Sequence, residues 1–188
     1  MPALALTHPV EHWTCGARAG VLFGTFGTAA LFNMAMGRCA RVMKANGGPG
    51  IIQFEFIGSW EKAGDALARW RQGNGAGWRA ARWALILDYP FLVLYGFGLW
   101  TLAGTFAAHA HGRGWDDWAN AAVIAGVGFL IAAALDALEN AALLLVLSEK
   151  RGPWPVLAAV CAALKFTLLI AGALVLATTG IAFLASAG

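Results

Sequence analysis

The sequence predicts an all-α polytopic membrane protein: a four-transmembrane-helix bundle with one amphipathic interfacial helix. Three observations carry that expectation. Of 188 residues, 60% are hydrophobic and only 12% charged, against about 25% charged in an ordinary soluble domain. Four apolar stretches each reach the roughly 20 residues that cross a hydrocarbon core. The basic residues, finally, gather in two connecting loops, which reads as membrane topology and not as a nucleic-acid surface. Length and segment number fit one integral membrane domain over 1–188.

The tail ahead of the first span lacks the basic start and the long apolar core of a cleavable signal, because Pro9, Glu11 and His12 interrupt it. The first span is expected at about 18–36. Gly20, Gly24 and Gly27 share one side of it, a spacing of small residues that lets another helix approach closely. A basic connector with Arg38, Arg41 and Lys44 then meets the breaker Asn46-Gly47-Gly48-Pro49-Gly50.

Residues 52–71 hold too many charges to span. Ile52, Phe56, Trp60, Ala63, Leu67 and Trp70 nonetheless recur every three or four positions. An interfacial helix is expected there, with its charges outward and its tryptophans at headgroup level. Ser59 offers an alternative, since it is placed to cap a shorter helix that starts at Trp60.

The second span, about 83–108, contains Asp88, Tyr89, Pro90 and Tyr95. Pro90 frees a backbone carbonyl and is expected to kink the helix near Asp88. The third span lies at about 119–147 and the fourth at about 154–184, with Lys165 inside the fourth. Eight Lys or Arg residues fall in the connector 37–82 and two more in the third loop, whereas Arg18 and Arg113 stand alone on the other side. The positive-inside rule therefore places both termini outside, in the periplasm of a bacterial inner membrane, and the amphipathic helix in the cytoplasm.

The polar residues inside the spans are the candidate site. A charged side chain at the bilayer centre costs about 2.5–3.5 kcal/mol on the insertion scale, so such residues need partners. Asp136, Glu139 and Asn140 fall on one helical face. Glu139 and Lys165 each lie about ten residues, roughly 15 Å, from the cytoplasmic ends of their spans, a depth at which antiparallel neighbours bring them together. Asp136 is a turn deeper, Asp88 shallower, and Asn33 sits near the cytoplasmic end of the first span. Tyr89, Tyr95 and Glu55 complete the candidate ligand- or ion-binding set.

Charge counting adds chemistry. Asp88, Asp136 and Glu139 outnumber the single Lys165, so either a carboxyl is protonated or a cation or basic ligand sits among them. That suits a site that binds or transports a proton, a small cation or an amine-bearing lipophilic ligand. Two other functions fit the same residues: an accessory or assembly subunit of a larger membrane complex, and a membrane-embedded enzyme using Glu139 as acid and base on a lipidic substrate. A purely structural Glu139–Lys165 ion pair is the plainest reading of all. No residue is assigned as catalytic.

The expected partners are membrane lipid, the small ligand, and either further copies of the chain or a larger complex, with no nucleic acid. No cofactor is expected, for there is no phosphate loop, nucleophile elbow or dinucleotide fingerprint. His8, His12, His109 and His111, with Asp116 and Asp117, fall on the outer side, but their spacing matches no metal signature. Haem lacks an axial histidine within any span. Cys15, Cys39 and Cys161 form no CxxC and read as small apolar fillers.

Phe54-Glu55-Phe56, then Glu61-Lys62-Ala63, Leu87-Asp88-Tyr89 with Tyr95, Asp136-Ala137-Leu138-Glu139-Asn140 and Lys165-Phe166 follow one another in a set order. In that order the chain resembles a group of small bacterial four-helix membrane proteins with a D-x-x-E-N motif in the third span. The resemblance implies the architecture and a bacterial inner membrane, and carries no activity or residue role with it.

Overall fold

The computed structural model describes residues 6–186. Among them are six α-helices, one short 3-10 turn at Pro9–His12, and no strand. The helices are α1 (Cys15–Ala45), α2 (Ile51–Glu55), α3 (Trp60–Arg71), α4 (Ala76–His111), α5 (Asp116–Leu147) and α6 (Trp154–Ala185). Four of them, α1, α4, α5 and α6, are long and apolar enough to cross a membrane.

Each long helix outruns the span expected for it. The largest extension is in α1, which continues through Arg38, Arg41 and Lys44, residues that the sequence places in a connector. Hydropathy marks where a helix leaves hydrocarbon, not where its hydrogen bonds stop. α1 ends only where glycine allows a reversal: Gly47 has a φ of 73°, and the Asn46 carboxamide donates to the Val42 carbonyl at 2.8 Å. Pro90 lies within α4, which runs on past it to His111.

The single interfacial helix expected over 52–71 is corrected: the chain forms two helices there, α2 and α3. Gly58 adopts a φ of 65°, which a side chain would resist. Ser59 is then extended, and its hydroxyl accepts the Lys62 N–H at 3.4 Å as the N-cap of α3. The break also rotates the apolar stripe. Ile52 and Phe56, expected on the buried side, are exposed, while Phe54, Glu55 and Ile57 are buried. Trp70, expected at headgroup level, is wholly buried, with its ring 4.7 Å from that of Phe54.

The chain divides into two compact units. One comprises Thr28–Val93 and Ala134–Lys165. Its core holds Met43, Phe54, Leu67, Trp70, Leu85, Leu143 and Val146. Gly77 lets α4 start directly against Trp70, because a Cβ there would stand 3.0 Å from the Trp70 Cα. Two further tryptophans tie the end of α5 and the loop after it: the Trp78 indole N–H donates to the Leu147 carbonyl at 3.2 Å, and that of Trp60 to the Gly152 carbonyl at 2.7 Å. The last carbonyls of a helix have no partner within it, so Trp78 satisfies one that would otherwise be left open.

The other unit comprises Met1–Gly27, Leu94–Ala133 and Phe166–Gly188. Its core is built from Ala103, Ala107, Ala122, Ala125, Phe129 and Leu176. Small residues here admit close backbones: a side chain at Gly104 would run into the imidazole of His8.

Candidate functional site

The first unit encloses a cluster of charged side chains centred on Lys165. α6 carries the lysine into the interior, where it is 4% exposed. α5 presents Asp136 and Glu139 on one face, one turn apart, as the 3.6-residue period requires. The Lys165 Nζ lies 2.7 Å from Asp136 Oδ1 and 2.8 Å from Glu139 Oε2. Glu55, the last residue of α2, brings a third carboxylate, with Oε2 at 3.5 Å from the same nitrogen. All four residues are buried, Glu139 completely.

α4 joins through hydrogen bonds. The Asn140 carboxamide, the next residue along the same face of α5, donates to Asp88 Oδ2 at 2.6 Å. The Tyr89 hydroxyl donates to the Ala137 carbonyl at 3.2 Å. The structure thus brings together Glu55, Asp88, Tyr89, Asp136, Glu139, Asn140 and Lys165. One sequence candidate falls elsewhere: Asn33 is exposed on α1. It was placed by depth along a helix, which says nothing about the direction a side chain takes around it. Tyr95 is buried on α4 and belongs to the other unit.

The charges do not balance. At an effective dielectric of about 20, unit charges 4 Å apart interact by about 4 kcal/mol. A first carboxylate beside Lys165 gains one such attraction. A third gains one attraction and meets two repulsions of similar size, before any cost of burial. The hydrogen bonding is incomplete in the same place: Glu139 Oε1 has no hydrogen-bond partner. The Glu55 and Glu139 carboxyls are gathered around one ammonium, with oxygens 3.5 and 2.8 Å from the Lys165 Nζ. Two carboxyl groups hydrogen-bond to each other only when a proton lies between them. Burial pushes the Glu55 carboxyl above the usual range; Lys165 opposes that rise and Asp136 adds to it.

The second unit holds a different cluster. His8 caps the 3-10 turn: its Nδ1 accepts the Val10 N–H at 3.2 Å, and Glu11 Oε1 accepts the His8 N–H at 2.6 Å. The other oxygen of Glu11 meets His111 Nδ1 at 2.9 Å. Arg18 donates to the carbonyls of Val10 and Glu11 at 3.1 and 2.7 Å. His8 is buried against Trp100, with ring centroids 4.5 Å apart. Burial pulls its pKa down, and Glu11 opposes this. His12, Asp116 and Asp117 are exposed, and His109 hydrogen-bonds to the Thr105 carbonyl at 2.9 Å. Among the described residues no group of three or more His, Cys, Asp or Glu is arranged to hold a metal ion.

Sequence reasoning did not find the His8–Glu11–His111 contact. A Glu three residues after a capping residue was the available signal for its first half. Nothing local signals His111.

Protein-family models, curated proteins and solved structures all provide no match to this chain. Fold and site therefore define a class on their own: an all-helical protein with four helices long and apolar enough to cross a membrane, holding a carboxylate-rich cluster around one buried lysine.

Proposed function

We propose that this is a membrane protein that binds and exchanges a proton at the Lys165 cluster. The observation that carries the reading is the surplus: three buried carboxylates face one ammonium. A small cation or a ligand amine would need the place among the acids that the Lys165 ammonium already fills. That leaves the proton as the occupant the geometry accommodates best. Glu139 and Glu55 are its carriers, Asp136 is the permanent counter-ion of Lys165, and the Asp88–Asn140 hydrogen bond holds α4 beside the site. The bias of basic residues supports both termini outside, and the resemblance to small bacterial four-helix proteins supports an inner membrane.

The test is infrared spectroscopy of the purified protein. A protonated-carboxyl band is expected at neutral pH in the wild type and in Asp65→Asn, an exposed control, and is expected to be lost in Glu139→Gln. A wild-type protein without that band rules the reading out.

One observation favours a second reading, an accessory subunit of a larger membrane complex. α1 is the least buried of the four long helices. Among the described residues, no atom comes within 4 Å of a Cβ placed at Gly20, Gly24 or Gly27, so these glycines, suited to close helix packing, stay open to a helix from another chain. Native gels from mild detergent decide this: a band at monomer or homodimer mass alone counts against it.

A further inference from the structure

We propose that Glu55 is the group through which the Lys165 cluster exchanges its proton with water, passing it inward to Glu139 and renewing it from outside. The inference rests on the proton-binding reading and says how that site is loaded.

Glu55 differs from the other two carboxylates in how it is held. Asp136 and Glu139 belong to α5, a helix of 32 residues, whose backbone hydrogen bonds hold them at fixed depth. Glu55 ends a helix of five residues, too short to be stable by itself. Glycines bound that segment: Gly47, Gly48 and Gly50 before it and Gly58 after it, with a φ of 73° at Gly47 and 65° at Gly58. Its contact with Lys165 is also the longest of the three, 3.5 Å against 2.7 and 2.8 Å. It is the partner that the ammonium gives up most easily.

The same segment has a wet side. Gln53, Phe56 and Ile57 line an open cleft of about 500 Å³ together with Lys62 and Arg69. Phe54, packed on Trp70, anchors the backbone between them. Glu55 itself is buried between two of these lining residues, and rotation about its side-chain torsions is the motion that the exchange requires. The charged groups that face it are Lys165 from α6, Asp136 and Glu139 from α5 and, farther off, Asp88 from α4.

The exchange balances. A hydronium ion gives its proton to the Glu55 carboxylate and leaves as water. The O–H bond of Glu55 then breaks as one forms on the Glu139 carboxylate, and Glu55 is left ionised for the next proton. No electrons change hands.

The experiment is a pH drop on the full-length protein in detergent, from a starting pH alkaline enough to remove the Glu139 carboxyl band, followed by the return of that band. Glu55→Gln is expected to gain the band in full, but more slowly by roughly 10²-fold, the lower end of what a positioned proton-transfer group contributes. Added formate, a small mobile acid, is expected to restore the rate, and Glu55→Asp to recover part of it. Asp65→Asn, on the same cleft, is expected to load like the wild type. A wild-type rate in Glu55→Gln overturns the inference and leaves the proton site standing. So does a slow Glu55→Gln that formate does not rescue, because a merely structural role predicts that result. Absence of the band from the wild type overturns the proposed function itself.

Discussion

The two polar clusters answer the same problem in opposite ways. Around His8 the acid is matched: Glu11 spends one oxygen on the His8 N–H and the other on His111, and Arg18 caps two carbonyls, while the Nε2 atoms of His8 and His111 stay without a hydrogen-bond partner. Around Lys165 there are more acids than cations, and Glu139 Oε1 has no hydrogen-bond partner. A matched cluster fastens a segment in place. A mismatched one has to be settled by something that comes and goes, and among three buried carboxylates the smallest such thing is a proton. The comparison teaches that burial alone does not mark a working site; a surplus of buried charge of one sign does.

The strongest way to break the comparison is to remove the shared cation. Lys165→Met leaves three carboxylates facing one another, and losing one partner from a buried ion pair costs about 3–5 kcal/mol. Thermal unfolding in detergent is expected to show that loss at pH 8 and to show much less of it in acid, where the carboxyls take up protons. Equal stability of Lys165→Met and wild type at pH 8 would mean that the acids do not depend on the lysine.

A paired substitution sharpens the contrast. Glu11→Gln removes a charge whose hydrogen bonds are all in use, at about 1.5–3 kcal/mol for each bond to a charged group. Glu139→Gln removes one acid of the surplus while keeping its shape, and is expected to unfold at or above the wild-type temperature, since one fewer buried carboxyl competes for the single ammonium. Should Glu139→Gln prove the more damaging of the two, the surplus is not real.

The smallest effects lie in pH, and they run in opposite directions. Glu55 titrates above its ordinary 4.5 when folded. Its contribution to stability is therefore complete below about pH 4.5 and is lost as pH rises. Relative to wild type, Glu55→Gln is expected to gain in melting temperature as the pH is raised. His8 titrates below its ordinary 6.5, so its contribution is complete above that pH and is lost as pH falls through the lowered value. Protection of the amides of residues 8–12 against exchange, taken relative to the intrinsic rate at each pH, is expected to fall in acid, and His8→Gln to remove that dependence. Parallel pH trends in the two clusters would erase the distinction.

Much of this was legible in the sequence, and the reason is locality. A run of apolar residues longer than a bilayer is thick makes a long helix whatever surrounds it, and Gly47, Gly58, Gly73 and Pro153 sit at or next to the breaks in helical structure. The shared face of Asp136, Glu139 and Asn140 follows from the helical period alone. Tertiary structure decided which faces meet. That Glu55 turns inward while Ile52 and Phe56 turn out depends on the break at Gly58 and on Trp70 filling the space that Gly77 leaves. That Asn33 faces away from the unit's interior depends on which side of α1 finds partners. Contacts between residues far apart in the chain are chosen by how side-chain volumes fit together, and that fit leaves no periodic trace in the sequence.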